Sequence, residues 1–202
     1  KSKNSNYKIS VLSKNDPLLK SFTSPTQNKQ NISAALRLFI SMGFPLKNIQ
    51  RHLKSYKALP HRLENVCKLQ NVEFINDSKS TNGESSKDAL LQFKNIYWIL
   101  GGKSKKNGIK CLLESLKNVK KCFLIGECAF EFAKELEGKV PFLICNKLET
   151  AIQKAFKEAS SISKGTILFS PAAASFDQFD NFEVRGDHYK SLIANLDKHR
   201  CT

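Results

Sequence analysis

The pattern of apolar and polar positions changes near residue 59. Before it, apolar residues recur every three or four positions in two segments, which predicts a helical hairpin. Asn31 can cap the first helix and Gly43 can end it, and Pro45 opens the second helix where its missing N–H costs nothing. A short strand-like run occupies residues 7–12. The predicted apolar faces comprise Ile32, Ala35, Leu36, Phe39 and Ile40 in the first helix, and Leu46, Ile49, Leu53 and Tyr56 in the second.

The segment Leu59-Pro60-His61 interrupts this pattern and is the predicted junction between domains at 1–58 and 59–202. After the junction, apolar runs of strand length alternate with segments of helical periodicity. This alternation predicts an α/β fold with a mostly parallel sheet covered by helices on both faces. An extra edge strand at 66–69 would make the sheet mixed. The expected strands are 72–75, 96–100, 122–125, 141–145 and 166–169, and the expected helices are 85–93, 109–116, 128–136, 148–159 and 189–196.

Composition narrows the classes of partner. No apolar run approaches the roughly 18 to 20 residues of a membrane span. The net charge of +15 comes mostly from scattered lysines, and the densest stretch, 103–121, alternates them with leucines at helical spacing. The six cysteines form no Cys-x-x-Cys pair and have no metal-ligand spacing with the four histidines. We therefore expect a cytoplasmic protein with reduced thiols, no metal site, no membrane partner and no nucleic-acid partner.

The least ordinary residues follow the ends of four predicted strands. Ligands of such sheets bind outside the carboxyl ends of the strands, and loops rich in lysine, hydroxyl groups and glycine suit an anionic ligand. Each loop alone also fits ordinary turn, cap or tight-packing chemistry. Their coincidence at equivalent strand ends favours one shared site. The loops contain Asn76-Asp77-Ser78-Lys79-Ser80-Thr81-Asn82, Gly101-Gly102-Lys103-Ser104-Lys105, Gly126-Glu127 and Ser170-Pro171-Ala172-Ala173-Ala174-Ser175.

Several of these segments carry a family resemblance. The loop at 76–82, the run at 97–103, the segment 170–186 (SPAAASFDQFDNFEVRG) and the junction at 59–64 resemble the C-terminal domain of MurD-type ligases of the Mur ligase family. Upstream, residues 28–31 and the helical hairpin look like the last part of that family's central ATPase domain. The resemblance implies a Rossmann-like C-terminal domain preceded by a helical remnant of the ATPase domain. Ala173 stands where the family often has cysteine, and 24–27 lacks the Gly-x-His that usually precedes Asn31.

The resemblance implies an activity. These ligases use ATP and Mg²⁺ to join D-glutamate to UDP-N-acetylmuramoyl-L-alanine in bacterial peptidoglycan synthesis. It also implies roles for residues of this chain. D-glutamate's carboxylates would be held by Lys79 and Lys105, with hydroxyl bonds from Thr81 and Ser175 and a backbone contact from Phe182, while Asn31, Arg62 and Asp77 would contact ATP. For Phe182, apolar packing is an equal alternative, and for Arg62 the alternative is a salt bridge with Glu64.

Other parts of the family pattern are missing. The sequence has no Gly-x-x-x-x-Gly-Lys-Ser/Thr phosphate loop, no acidic and histidine Mg²⁺ ligands and no domain to hold the UDP group, all of which the family places upstream. The chain also starts without methionine. We therefore expect a ligase fragment that is inactive alone, has no complete catalytic set, and has a separately encoded N-terminal half as a candidate partner. The alternatives are a non-catalytic remnant or binding module that retains affinity for D-glutamate or nucleotide, and a nucleic-acid-binding protein, which rests on charge only.

Overall fold

A computed structural model describes residues 17–19, 29–54, 59–105, 107–162 and 164–198. The chain divides into two compact units, Lys1–Ala58 and Leu59–Thr202. The predicted strand at 7–12, Tyr56 and the side chain of Leu53 lie outside the described residues.

The first unit contains a short 3-10 helix, Pro17–Leu19, followed by α1 (Lys29–Ser41) and α2 (Leu46–Lys54). The predicted hairpin helices are therefore present. Gly43 has a φ of 85° just after α1, as expected of a residue that ends a helix. The prediction that Asn31 caps α1 is wrong, because the helix already includes Lys29 and Gln30, both good helix formers.

The apolar face predicted for α1 is only partly buried. Leu36 packs with Leu19 and Ile49 in a small cluster, whereas Phe39 and Ile40 are 42% and 39% exposed. The periodicity correctly indicated a helix, but it did not reveal which turns of that helix have a packing partner.

In the part of the chain that the structure describes, the second unit contains one six-stranded sheet. Its strands are β1 (Glu64–Leu69), β2 (Val72–Asn76), β3 (Ile96–Gly101), β4 (Val119–Ile125), β5 (Phe142–Asn146) and β6 (Gly165–Phe169). The spatial order is β1-β2-β6-β3-β4-β5. Strand β1 is antiparallel to β2, and every other neighbouring pair is parallel. The predicted mixed, mostly parallel sheet is confirmed.

Helices cover both faces of the sheet. On one face, α3 (Gly83–Gln92), the 3-10 helix Lys110–Asn118 and α4 (Ala129–Leu136) contribute to an apolar core around Trp98. On the other face, α5 (Leu148–Ala159) and α6 (Phe182–Lys198) pack against Phe74, Phe123 and Phe169. Burial on both faces explains why the central strands are continuous apolar runs in the sequence.

Two predicted helices differ from the observed ones. Residues 110–118 form a 3-10 helix, whose period of three cannot be told from 3.6 over so short a segment. The last helix begins at Phe182 rather than 189, because its first two turns are mostly polar and carry no clear apolar period. The Asn181 side chain accepts a hydrogen bond from the Val184 N–H at 2.7 Å and so satisfies one donor at the start of this helix.

The topology places a crevice at the carboxyl edge of the sheet. Strand β6 lies between β2 and β3. The segments that follow β2 and β3 cross one face, while α6, which follows β6, packs on the other. Loops that leave neighbouring strands toward opposite faces separate at that edge, which is where ligands of doubly wound sheets bind. Among the described residues, no helix is both long and apolar enough to cross a membrane.

Candidate anion-binding site

Backbone hydrogen bonds join three of the loops at the carboxyl edge. Lys103 and Ala174 exchange N–H···O bonds of 2.9 and 3.0 Å, which ties the loop after β3 to the loop after β6. The Cys128 N–H donates to the Gly102 carbonyl at 2.9 Å and adds the loop after β4. The Trp98 indole N–H, fully buried in the core, donates to the Ser170 carbonyl at 2.8 Å. The loops are therefore held by the sheet as one group, as the sequence predicted.

The loop after β2 joins this group through Asp77. Its N–H donates to the Phe169 carbonyl at 2.7 Å. Its carboxylate accepts bonds from the hydroxyls of Ser80 and Ser170, at 2.6 and 2.7 Å, and from the Leu63 N–H at 3.2 Å. Asp77 is only 3% exposed, and this burial raises the pKa of its carboxyl from 3.8 to about 6 despite the three hydrogen bonds. In this structure the hydrogen bonds of Asp77 hold the loop after β2 in place.

The raised pKa of Asp77 predicts a stability effect in acid. The folded state holds the Asp77 proton more tightly than the unfolded state, so the contribution of Asp77 to the free energy of unfolding should fall as pH rises from about 4 to about 6 and then stay level. Raising the pKa from 3.8 to about 6 corresponds to roughly 3 kcal/mol at most. Urea unfolding at pH 4, 5, 6 and 7 measures this.

Asp77→Asn is the control, because it cannot titrate. The unfolding free energy of the native chain minus that of this variant should decrease as pH rises from 4 to 6. A difference that is constant with pH would contradict the assignment.

Two of the residues assigned to D-glutamate by the resemblance are in contact. The Lys79 ammonium lies 3.9 Å above the centre of the Phe182 ring, a cation–π geometry. The Phe182 carbonyl accepts a hydrogen bond from the Ser78 hydroxyl at 2.8 Å, and the Lys79 N–H donates to the His61 carbonyl at 3.0 Å. The backbone of Lys79 is thus fixed while its exposed ammonium is directed along the start of α6.

The other three residues assigned to D-glutamate lie in loops that follow neighbouring strands at the same edge. Lys105 is exposed and lines a cleft of about 650 Å³ with Ser104 and the first residues of α3. Thr81 is half-buried two residues before α3, and Ser175 is buried in the loop after β6. The Ser175 carbonyl accepts hydrogen bonds from two following N–H groups, at 3.1 and 2.9 Å, which fixes this turn. The D-glutamate roles of all five residues stay predictions.

The three residues assigned to ATP lie in different surroundings. Asn31 is exposed in α1 of the first unit. Arg62 is exposed in the turn before β1, and its positive charge acts to lower the pKa of the buried Asp77 in the second unit. A salt bridge with Glu64 was the alternative role for Arg62, but the Glu64 carboxylate lies 3.6 Å from the Lys190 ammonium and can pair with that group instead. The described residues include no group of three or more His, Cys, Asp or Glu side chains that could hold a metal ion. The contacts with ATP stay predictions, and so does the expectation that the main ligands of Mg²⁺ lie outside this chain.

Sequence reasoning assigned no role to Arg185, which lies at the centre of the loop group. Its guanidinium donates to the Ser78 hydroxyl and carbonyl and to the Ala173 carbonyl, at 3.1, 2.9 and 3.1 Å. The sequence does contain an indication that Arg185 is buried, because it precedes Tyr189 and Ile193 at four-residue spacing on the same face of α6. A second missed residue is His61, which is 5% exposed with its Nδ1 3.0 Å from the Asn76 amide nitrogen.

Several known proteins are similar to this chain in sequence. No family model matches the chain. The chain is 45% identical over 172 residues to a protein named UDP-N-acetylmuramoylalanine–D-glutamate ligase from Wolbachia sp. subsp. Brugia malayi (strain TRS), covering 85% of this chain and 34% of the relative. Proteins of the same name from Nitrobacter hamburgensis and Brucella abortus are 43% and 44% identical over 171 and 172 residues, covering 84% of this chain and 37% of each relative.

The chain thus spans about a third of the length of these relatives, and the match lies in their C-terminal part. A solved structure of UDP-N-acetylmuramate-alanine ligase MurC from Thermotoga maritima superposes with a TM-score of 0.53 at 16% identity, covering 82% of this chain and 37% of the other. At that identity the similarity supports the fold alone.

Proposed function

Because this chain is homologous to the C-terminal part of the UDP-N-acetylmuramoylalanine–D-glutamate ligases, we propose that it supplies the D-glutamate-binding portion of such a ligase. One observation carries the proposal. The loops that follow the neighbouring strands β2, β3 and β6 are bonded to one another at the carboxyl edge. These loops carry Lys79, Lys105 and Ser175, respectively. Ligands of doubly wound sheets bind at this edge, and the two lysines suit an anionic one.

The chemistry of D-glutamate fits the side chains of the site. The ligand carries two carboxylates, and two exposed lysine ammonium groups can each hold one through charge-assisted hydrogen bonds. The hydroxyls of Thr81 and Ser175 add neutral donors, and the cation–π contact with Phe182 limits the directions that the Lys79 ammonium can take. Together they would orient the ligand's amine toward the acceptor.

In the complete reaction, the carboxylate of UDP-N-acetylmuramoyl-L-alanine is activated as an acyl phosphate and the amine of D-glutamate displaces phosphate. ATP and Mg²⁺ would supply the phosphoryl group and the positive charge that this step requires. In this reaction the described residues would bind D-glutamate and hold its amine in line with the acyl carbon. We expect this chain by itself to bind the amino acid without turning it over.

Titration of the chain with amino acids tests the proposal. D-glutamate should bind saturably, and D-glutamine should bind at least about tenfold more weakly, because a missing charged hydrogen bond costs roughly 1.5–3 kcal/mol. L-glutamate should also bind more weakly, since its amine and side chain exchange places relative to the two fixed lysines. Isothermal calorimetry, or amide shifts in two-dimensional NMR, measures the affinities.

Lys105→Gln sharpens this test. It should weaken D-glutamate binding about tenfold, since it removes one of the two proposed carboxylate partners. Lys110→Gln, which changes an exposed lysine five residues further on, is the matched control and should leave the affinity unchanged. Equal responses to D-glutamate, L-glutamate and D-glutamine would contradict the proposed function.

A further inference from the structure

Arg185 is a fully charged side chain buried behind the proposed D-glutamate site. It is 1% exposed, and its guanidinium donates hydrogen bonds to three neutral acceptors, the Ser78 hydroxyl, the Ser78 carbonyl and the Ala173 carbonyl. Its guanidinium also lies 5.8 Å from the centre of the Phe169 ring. Among the described residues, no ion pair joins it to a carboxylate within 4 Å.

Burying such a charge is costly unless a negative group compensates it. Burial lowers the pKa of Arg185 to about 10, which leaves it charged at neutral pH. The carboxylate of Asp177 opposes this shift, but it forms no ion pair with Arg185 within 4 Å and instead accepts a hydrogen bond from the Glu127 N–H at 3.0 Å. The positive charge of Arg185 is therefore only partly balanced by its own chain.

The bonds of Arg185 also connect two loops that carry proposed ligand contacts. Ser78 precedes Lys79 directly, and Ala173 lies two residues before Ser175. A single planar guanidinium therefore donates hydrogen bonds to both loops. A lysine could not do this with the same geometry, because it presents a single nitrogen rather than a fixed fork of donors.

We propose that Arg185 is the positioning residue of the D-glutamate site, which holds the Lys79 and Ser175 loops in register and adds a buried positive charge that favours a ligand with two carboxylates. This inference rests on the proposed function for the identity of the ligand. The coupling of the two loops does not depend on that identity. In this proposal Arg185 acts through the two loops that it bonds and does not itself contact the ligand.

Hydrogen exchange in the full chain without ligand tests the coupling. In Arg185→Gln, amide exchange should become about tenfold faster in both 76–82 and 170–176, while the amides of β3 and β4 keep their protection. Lys157→Gln removes one exposed positive charge at the far end of α5 and should change neither segment. Unchanged exchange in either loop would overturn the proposal, and so would a uniform loss of protection throughout the sheet, which marks a general stability defect.

Binding of D-glutamate and D-glutamine to the same variants tests the charge. Arg185→Gln should lose about tenfold more affinity for D-glutamate than for D-glutamine, because removing a positive charge from a low-dielectric site penalises the extra carboxylate. Arg185→Lys should weaken both ligands by a similar factor, since it keeps the charge and loses the fork. A purely structural role would give equal losses in both variants and would overturn the charge part of the proposal.

The two hypotheses fail in different ways. If the native chain binds neither amino acid but the two loops still lose protection together in Arg185→Gln, the proposed function is wrong and the positioning role of Arg185 stands. If the native chain binds D-glutamate selectively and Arg185→Gln binds it as well as the native chain does, the function stands and the role of Arg185 is refuted.

Discussion

Replacing Gly101 with alanine is expected to destabilise the second unit by at least ~3 kcal/mol. Gly101 ends β3 with a φ of 126°, a conformation that residues with a Cβ rarely adopt. A Cβ at this position would lie 1.9 Å from the Ile125 carbonyl oxygen and 3.0 Å from the Ile125 nitrogen. Both atoms belong to the backbone of β4, so relief requires separating two central strands. Urea unfolding followed by tryptophan fluorescence measures the loss, because Trp98 lies on the same strand.

Gly138→Ala is the matched control for backbone strain. Gly138 also has a positive φ, 70°, but nothing lies within 4 Å of a Cβ built there. This variant should therefore cost only about 1 kcal/mol, from the left-handed conformation alone. The excess loss in Gly101→Ala measures the steric contact with β4 together with the greater strain of a φ of 126°. Equal losses in the two variants would show that the strands at the carboxyl edge yield easily.

The parallel sheet was predictable because its strands are buried on both faces. The runs at 72–75, 96–100 and 166–169 are almost entirely apolar, and the observed strands include each of them. Burial on one face only would have produced an alternating pattern and left the topology more open. The antiparallel edge strand was predictable for another reason, since a short turn can connect only antiparallel neighbours.

The errors have a common physical origin, which is that periodicity reports local geometry and not packing partners. Phe39 has the spacing of a core residue, yet it is 42% exposed. The first turns of α6 lack that spacing but are helical, because Ser78 and Ala173 anchor Arg185 there. The hydrogen bond between Arg185 and Ser78 joins positions that are 107 residues apart, and local periodicity does not report such a contact.

The grouping of the loops at one edge could be predicted in the same way, but not their supporting contacts. Loops that follow parallel strands must meet at one edge, so Lys79, Lys105 and Ser175 could be grouped from the sequence. The sequence does not reveal that Asp77 turns inward onto Ser80 and Ser170, or that a buried arginine joins the loops. Such contacts depend on side-chain directions that only the folded backbone sets.

Lys79→Ala is expected to weaken D-glutamate binding roughly 10- to 100-fold, the largest effect of any single side chain in the proposed site. The Lys79 N–H is bonded to the His61 carbonyl and its ammonium rests on the Phe182 ring, so the charge is already oriented before the ligand arrives. A preorganised charge loses little conformational entropy on binding. Isothermal calorimetry with D-glutamate measures the change.

Three further variants separate the charge of Lys79 from its surroundings. Lys68→Ala changes an exposed lysine on β1 and should leave the affinity unchanged. Phe182→Leu keeps the ammonium and removes the ring, so the affinity should fall only about threefold, the size of an exposed cation–π contact. Lys79→Arg keeps the charge in a broader, planar group and should recover part of the affinity lost in Lys79→Ala. Because the Lys79 side chain is exposed and its cation–π contact with Phe182 is worth only about 0.5–1 kcal/mol, none of its variants should lower the unfolding free energy by more than about 1 kcal/mol. If Lys79→Ala binds D-glutamate within about threefold of the native chain, the ammonium does not contact a carboxylate and the ligand lies elsewhere along the edge.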